Sequence, residues 1–236
     1  MKMSLAALRQ QLAAVVAGTP STTPGLPTGL AALDAILPGG GIPAGRITEL
    51  LAPQGLGKTT IARSLVAATI TAGRCVGWVD ATRTLDPRDW VTTKTSMDGD
   101  ALWVVRPADP ARAPWCADLL LRTGTFALVV LDGASVLPRM VGVRLAQLAR
   151  NSDAALLLLG EGTRASEIGG ALRLVLKREE APKRRVTITL EKGGPYQHLQ
   201  VGFSEAPGGI SITRRICAHP EIPDRRGVAR TRRARR

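Results

Sequence analysis

Apolar residues fall along this chain in short unbroken runs, separated by segments of helical period and by Gly- and Pro-rich breaks. ITELLA, CVGWVDA, ALWVVRP, TGTFALVVLDG and AALLLLG show no polar alternation, the mark of strands buried on both faces. Between them, IARSLVAATITAG, Ala113 to Arg122 and Val141 to Arg150 predict helices, and Val91 to Arg106 forms a further αβ unit. ALRLVLKRE and RRVTITLEKGG read as strands, the second alternating, with Glu161 to Gly170 as a polar loop before them. QHLQVGFS and GGISITRR close as a hairpin-like pair around Glu205 to Gly209. Alternating β and α with strands at the end predicts an α/β fold. Its central sheet is mainly parallel and flanked by helices, with antiparallel strands at the C-terminal edge.

The ends read differently. Leu5, Leu8, Leu12, Val15 and Val16 share one helical face, so an amphipathic helix is expected there, and Thr19 to Pro27 is a Pro- and Thr-rich linker. Arg9, Gln10 and Gln11 interrupt that apolar stretch, which argues against a signal peptide. A short helix ends near Leu37, and Pro38-Gly39-Gly40-Gly41 breaks the chain before the first strand. The expected organisation is helix and linker over 1–25, a core over 26–213 and a basic tail over 214–236.

Chemistry concentrates in ITELLAPQGLGKTT. An apolar strand, a glycine loop and Gly57-Lys58-Thr59 opening a helix give the setting a P-loop requires. Backbone N–H groups from Gln54 to Thr59 would curl around a β-phosphate, aided by the positive end of the helix. Lys58 would reach the β- and γ-phosphates, and the Thr59 hydroxyl would ligate Mg²⁺. The candidate set is Pro53, Gln54, Gly55, Leu56, Gly57, Lys58, Thr59 and Thr60. Ala52 stands where the motif has its first glycine; it lies at the strand exit, where a Cβ is tolerated if the backbone angles allow it. A strand ending in an acid after a P-loop is the Walker B pattern, which makes Asp132 the second Mg²⁺ residue, acting through water. ATP with Mg²⁺ is the expected ligand.

Composition removes other chemistries. Three cysteines without a C-x-x-C pair, and two histidines (His198 and His219) without partners in the sequence, indicate neither a zinc site nor a disulfide framework. A reduced, cytoplasmic compartment fits, and no apolar run is long enough to span a membrane. The net charge of +13 is uneven: from Arg214 onward, nine arginines against Glu221 and Asp224 leave +7. Arg225, Arg226, Arg230, Arg232, Arg233, Arg235 and Arg236 are the candidate contacts to nucleic-acid phosphates.

The order of motifs resembles the RecA recombinase family over Leu26 to Phe203. PTGLAALDAILPGGGIPAGRITELLAPQGLGKTT, WVDATRTLDP and LLRTGTFALVVLD carry the likeness, and EKGGP resembles a late strand that sends basic side chains, here Lys192, towards a neighbouring protomer's nucleotide. The resemblance implies a RecA-like P-loop fold and places Asp86 near an adenine. It also shows departures. The family's water-activating glutamate falls at Thr82, which cannot act as a carboxylate base, and its stacking tyrosine falls at Asp89. Only residues 133–153 separate Asp132 from the next strand, and the second DNA loop shrinks to GTRASEIGG, with Glu161 at the switch-glutamine position. Glu161 is the candidate substitute base, and Arg164 and Arg173 are candidates for phosphate contact near the shortened loop.

Shortened RecA-like chains of this profile resemble the ImuA family, accessory proteins of damage-induced mutagenesis; LWVVRP, a Trp-containing helix and LRTG are similar as well. That likeness implies an ATP-binding accessory of SOS-induced translesion synthesis, acting through partner and DNA contacts. Implied partners are an ImuB-like Y-family polymerase homologue, an error-prone replicative-type polymerase, RecA itself and a second copy of the chain. The alternative is a DNA-dependent ATPase or recombinase-like enzyme with weak or partner-stimulated hydrolysis. Trp78, Trp90, Trp103 and Trp115 are expected to be packing residues, and Cys75 a small core residue.

Overall fold

The computed structural model describes residues 24–86, 101–133, 137–161, 172–178, 185–192 and 197–202. All belong to a compact unit, Met1–Gly202; a second unit, Phe203–Arg236, lies wholly outside the described residues. The elements are α1 (Ala31–Ile36), β1 (Ile47–Ala52), α2 (Lys58–Thr71), β2 (Cys75–Asp80), β3 (Leu102–Val105), α3 (Ala113–Thr123), β4 (Phe126–Asp132), α4 (Arg139–Ser152), β5 (Ala155–Glu161), β6 (Leu172–Arg178), β7 (Arg185–Lys192) and β8 (Gln197–Gly202).

The strands form one eight-stranded sheet in the order β3-β2-β4-β5-β1-β6-β7-β8. Pairing is parallel from β3 through β6, and antiparallel from β6 to β7 and β7 to β8. The apolar runs become the central strands: every residue of β1 is buried, as are the last five of β2 and of β4. Such strands stay covered because helices lie on both faces. The cluster around α3 and α4 takes Ile47, Val79, Val129, Leu131, Leu156 and Leu158 from one face of the sheet. Helix α2 contacts β1, β2 and β4 without entering that cluster, so it covers the opposite face. Side chains alternate along a strand, which puts Trp78, Asp80, Asp132 and Glu161 on the α2 face.

Chain direction fixes where a ligand can sit. After β1 the chain crosses over to β2, leaving room for β4 and β5 between them. The carboxyl ends of β1, β2, β4 and β5 therefore share one edge at a topological switch point, where open α/β sheets bind ligands.

Several expectations need correction. Helix α4 runs from Arg139 to Ser152 rather than from Val141 to Arg150, because Pro138 at its N-cap sets the start and Asp153, with φ +52°, ends it. Glu161 is the last residue of β5, held in register opposite Ala52, rather than the first of a loop. Trp78 is fully buried, yet Trp103 and Trp115 are 55% and 53% exposed. The reason is positional: β3 is the edge strand, and Trp115 lies on the outer side of α3 under the Arg112 guanidinium, 4.6 Å from its ring centroid. Cys75 opens β2, half-buried and packed against the edge of the cluster around α3 and α4. The described antiparallel partner of β8 is β7; GGISITRR, Trp90, Asp89, Arg164 and the N-terminal helix lie outside the described residues.

Candidate functional site: the loop after β1 and the strand ends beside it

The loop from Pro53 to Gly57 joins β1 to α2. Gly55 and Gly57 have φ of +76° and +86°, a left-handed conformation that side chains with a Cβ rarely adopt. No atom lies within 4 Å of where a Gly55 Cβ would stand, so that side of the loop faces open space. Gly57 is also the N-cap of α2, and no side chain caps that end. The first-turn N–H groups of this 14-residue helix therefore point outward without a side-chain acceptor, the arrangement that receives a phosphate. Ala52 is fully buried in β1 and is not among the positive-φ residues, which explains how it replaces a glycine.

Two hydrogen bonds tie this loop to the end of β5. Lys58 Nζ donates to the Gly160 carbonyl at 3.3 Å, and Gln54 Nε2 donates to Glu161 Oε1 at 3.1 Å. Thr59 is exposed and Thr60 half-buried at the start of α2, while Pro53 and Gln54 are exposed and Leu56 is buried beneath them.

Asp132 ends β4 with 6% exposure. Burial pushes its carboxyl up to about 6, opposed by the Lys58 charge and the Gly133 backbone N–H, and reinforced by Asp80 and Glu161. A buried carboxylate that lacks a full counter-charge, next to a lysine and a hydroxyl-bearing helix start, is suited to a divalent cation. The glycine cradle, the uncapped helix start and this donor set together fit a Mg²⁺-bound nucleoside triphosphate.

Asp80, in register with Asp132, plays another part. It is completely buried and organises the loop that follows it. Its Oδ1 accepts from the Thr82 hydroxyl at 3.1 Å and the Thr84 N–H at 3.2 Å. Its Oδ2 accepts from the Leu85 N–H at 3.2 Å and from Arg106 Nε at 2.9 Å. Arg106 also donates to the Leu85 carbonyl, and Arg83 donates to the Pro107 carbonyl at 3.1 Å. Neither Asp80 nor Arg106 stands out in the sequence as a site residue. Only the pairing of β2 with β3 brings them together.

Thr82 is held in that turn by hydroxyl contacts to Asp80 and Thr84, and its methyl packs against Gly133. Asp86 lies further along the same segment, half-buried. Arg173 does not face a phosphate site: its Nε donates to Glu49 Oε2 at 2.8 Å in the body of the sheet. Lys192 is exposed at the end of β7, and the tail arginines Arg225 to Arg236 lie outside the described residues. Among the described residues no His, Cys, Asp and Glu cluster forms a metal centre, and no helix is long and apolar enough to cross a membrane.

The sequence matches the RecA N-terminal domain family over residues 8–144, more than half of the chain. It is 42% identical over 115 residues to protein RecA of Nocardia farcinica, covering 48% of this chain and 33% of that one. It is 40% identical over 115 residues to protein RecA of Mycobacterium marinum, with 48% and 33% covered. Against protein RecA of Kineococcus radiotolerans it is 39% identical over 112 residues, covering 48% and 32%. The chain thus spans about a third of the length of the curated relatives it matches.

Proposed function

The chain belongs to the RecA N-terminal domain family, and from that premise we propose that it is an ATP-binding protein of DNA repair in which nucleotide gates partner contacts. One observation carries the nucleotide reading: the left-handed glycine loop, Lys58 and the buried Asp132 meet at one edge of the sheet. In this reading the loop N–H groups and Lys58 hold the phosphates, Thr59 and Asp132 hold Mg²⁺, and Asp86 lies towards the base. Bound Mg²⁺ would supply charge neutralisation at the phosphates.

The finer role we propose is that of the ImuA-like accessory, working in SOS-induced translesion synthesis. Its partners would be an ImuB-like Y-family polymerase homologue, an error-prone replicative-type polymerase and RecA, with the basic tail on DNA phosphates and self-association through the RecA-like core. Support comes from Thr82 standing where the resemblance expects a glutamate, and from the shortened segment between Asp132 and β5. Binding that selects a conformation needs no fast turnover.

The test is calorimetric titration of MgATP into the full chain and into Lys58→Ala, with phosphate release measured with and without single-stranded DNA. Micromolar binding that weakens by about tenfold or more in the variant, with slow turnover indifferent to DNA, is the expected result. Absence of binding by the unaltered chain would remove the nucleotide reading. Brisk DNA-stimulated turnover would put the recombinase-like ATPase first.

A further inference from the structure

We infer that Glu161 is the water-activating carboxylate of this site, so that the general base stands at the end of β5 instead of the end of β2. The assignment rests on MgATP binding at the loop after β1.

Register supplies the geometry. Asp80, Asp132 and Leu159 lie side by side across β2, β4 and β5. Two residues further along, on the same face, β5 offers Glu161, while Thr82 lies in the turn after β2, bonded to Asp80. The two strands are separated by β4 alone, a distance of about 10 Å from twice the usual strand spacing. Lys58, the residue that would hold the terminal phosphate, donates to the Gly160 carbonyl, the residue directly before Glu161. Glu161 is therefore adjacent to that phosphate's position.

The two flanking side chains differ in what they can do. Thr82 has its hydroxyl committed to Asp80 and Thr84, and no hydroxyl takes a proton from water at neutral pH. Glu161 is exposed, and one carboxylate oxygen, Oε1, accepts from Gln54. That bond fixes the carboxylate at the mouth of the loop.

In the step, the oxygen of a water molecule bonds to the γ-phosphorus while the bond from that phosphorus to the β–γ bridging oxygen breaks. The water's proton passes to a Glu161 oxygen and then to solvent, leaving ADP and inorganic phosphate.

The experiment compares the full chain with Glu161→Gln, which keeps an acceptor for Gln54. MgATP affinity is read by calorimetry and phosphate release by single-turnover measurement. The expected result is affinity within about threefold of the unaltered chain and turnover lower by about 10²-fold or more. Unchanged turnover overturns the inference, and so does an unaltered chain that binds MgATP without hydrolysing it. Loss of affinity in Glu161→Gln also overturns it, since Glu161 would then be part of the binding cradle. If the unaltered chain does not bind MgATP at all, the nucleotide reading itself fails, and the inference with it.

Discussion

At the scale of single residues, Asp132 shows how position sets chemistry. Its carboxyl is raised from the ordinary 3.8 to about 6, chiefly by burial. A raised acid binds its proton more tightly when folded. The resulting stability is fully present below the unfolded value and is lost as pH climbs through about 6. Asp132→Asn, which cannot ionise, should therefore be more stable than the unaltered chain at pH 8, by on the order of 2 kcal/mol, with the gap closing near pH 4. Thermal unfolding at the two pH values reads this directly; equal stabilities at pH 8 would mean the ionised carboxylate is already well compensated. If removing Asp132 stabilises the fold, its carboxylate serves another end, and cation binding is the one the neighbouring Lys58 and Thr59 suggest. Asp132 and Lys58 were legible as letters in a motif. Asp80 and Arg106 were not, because their bond joins residues 26 positions apart on strands whose adjacency no local pattern announces.

At the scale of elements, β1 is less uniform than its apolar appearance. ITELLA contains Glu49, 2% exposed, and its partner Arg173 comes from β6, 124 positions away and directly opposite in the register. Breaking a buried pair removes the main counter-charge from the one left behind, so Arg173→Ala should lower unfolding free energy by on the order of 1 to 3 kcal/mol. Replacing both residues with leucine should restore much of it. Chemical denaturation of the three proteins checks both statements; a mild single variant would show that Glu49 keeps adequate partners without Arg173. Element types were readable from the unbroken apolar runs, since a strand covered on both faces needs no polar alternation. Element ends were less so. Glu161 is the sort of residue that usually begins a loop, and pairing with Ala52 is what keeps it in β5. The exposure of Trp103 followed from β3 being an edge, a property of sheet order rather than of ALWVVRP itself.

At the scale of the whole molecule, charge and fold divide the chain. The α/β class and the antiparallel strands at the C-terminal edge were predictable because β–α alternation over short connections leaves few arrangements. The basic end carries its information in composition. If the arginines from Arg225 to Arg236 contact DNA phosphates, deleting them should weaken binding and flatten the slope of log affinity against log salt. Each lost contact should remove about 0.7 to 0.9 from that slope. Fluorescence anisotropy across a salt series measures it, and an unchanged slope would assign DNA contact to other surfaces.

The burial of Trp78 has an optical consequence. Its indole sits fully enclosed on the α2 face, two residues before Asp80 and opposite Val130 of β4, whereas Trp103 and Trp115 open to water. A soluble quencher reaches the two open rings and leaves Trp78 shining. Of the emission from these three described rings, what remains then comes from beneath the candidate site, and with Trp90 replaced the chain would carry an unlabelled reporter of its own occupancy.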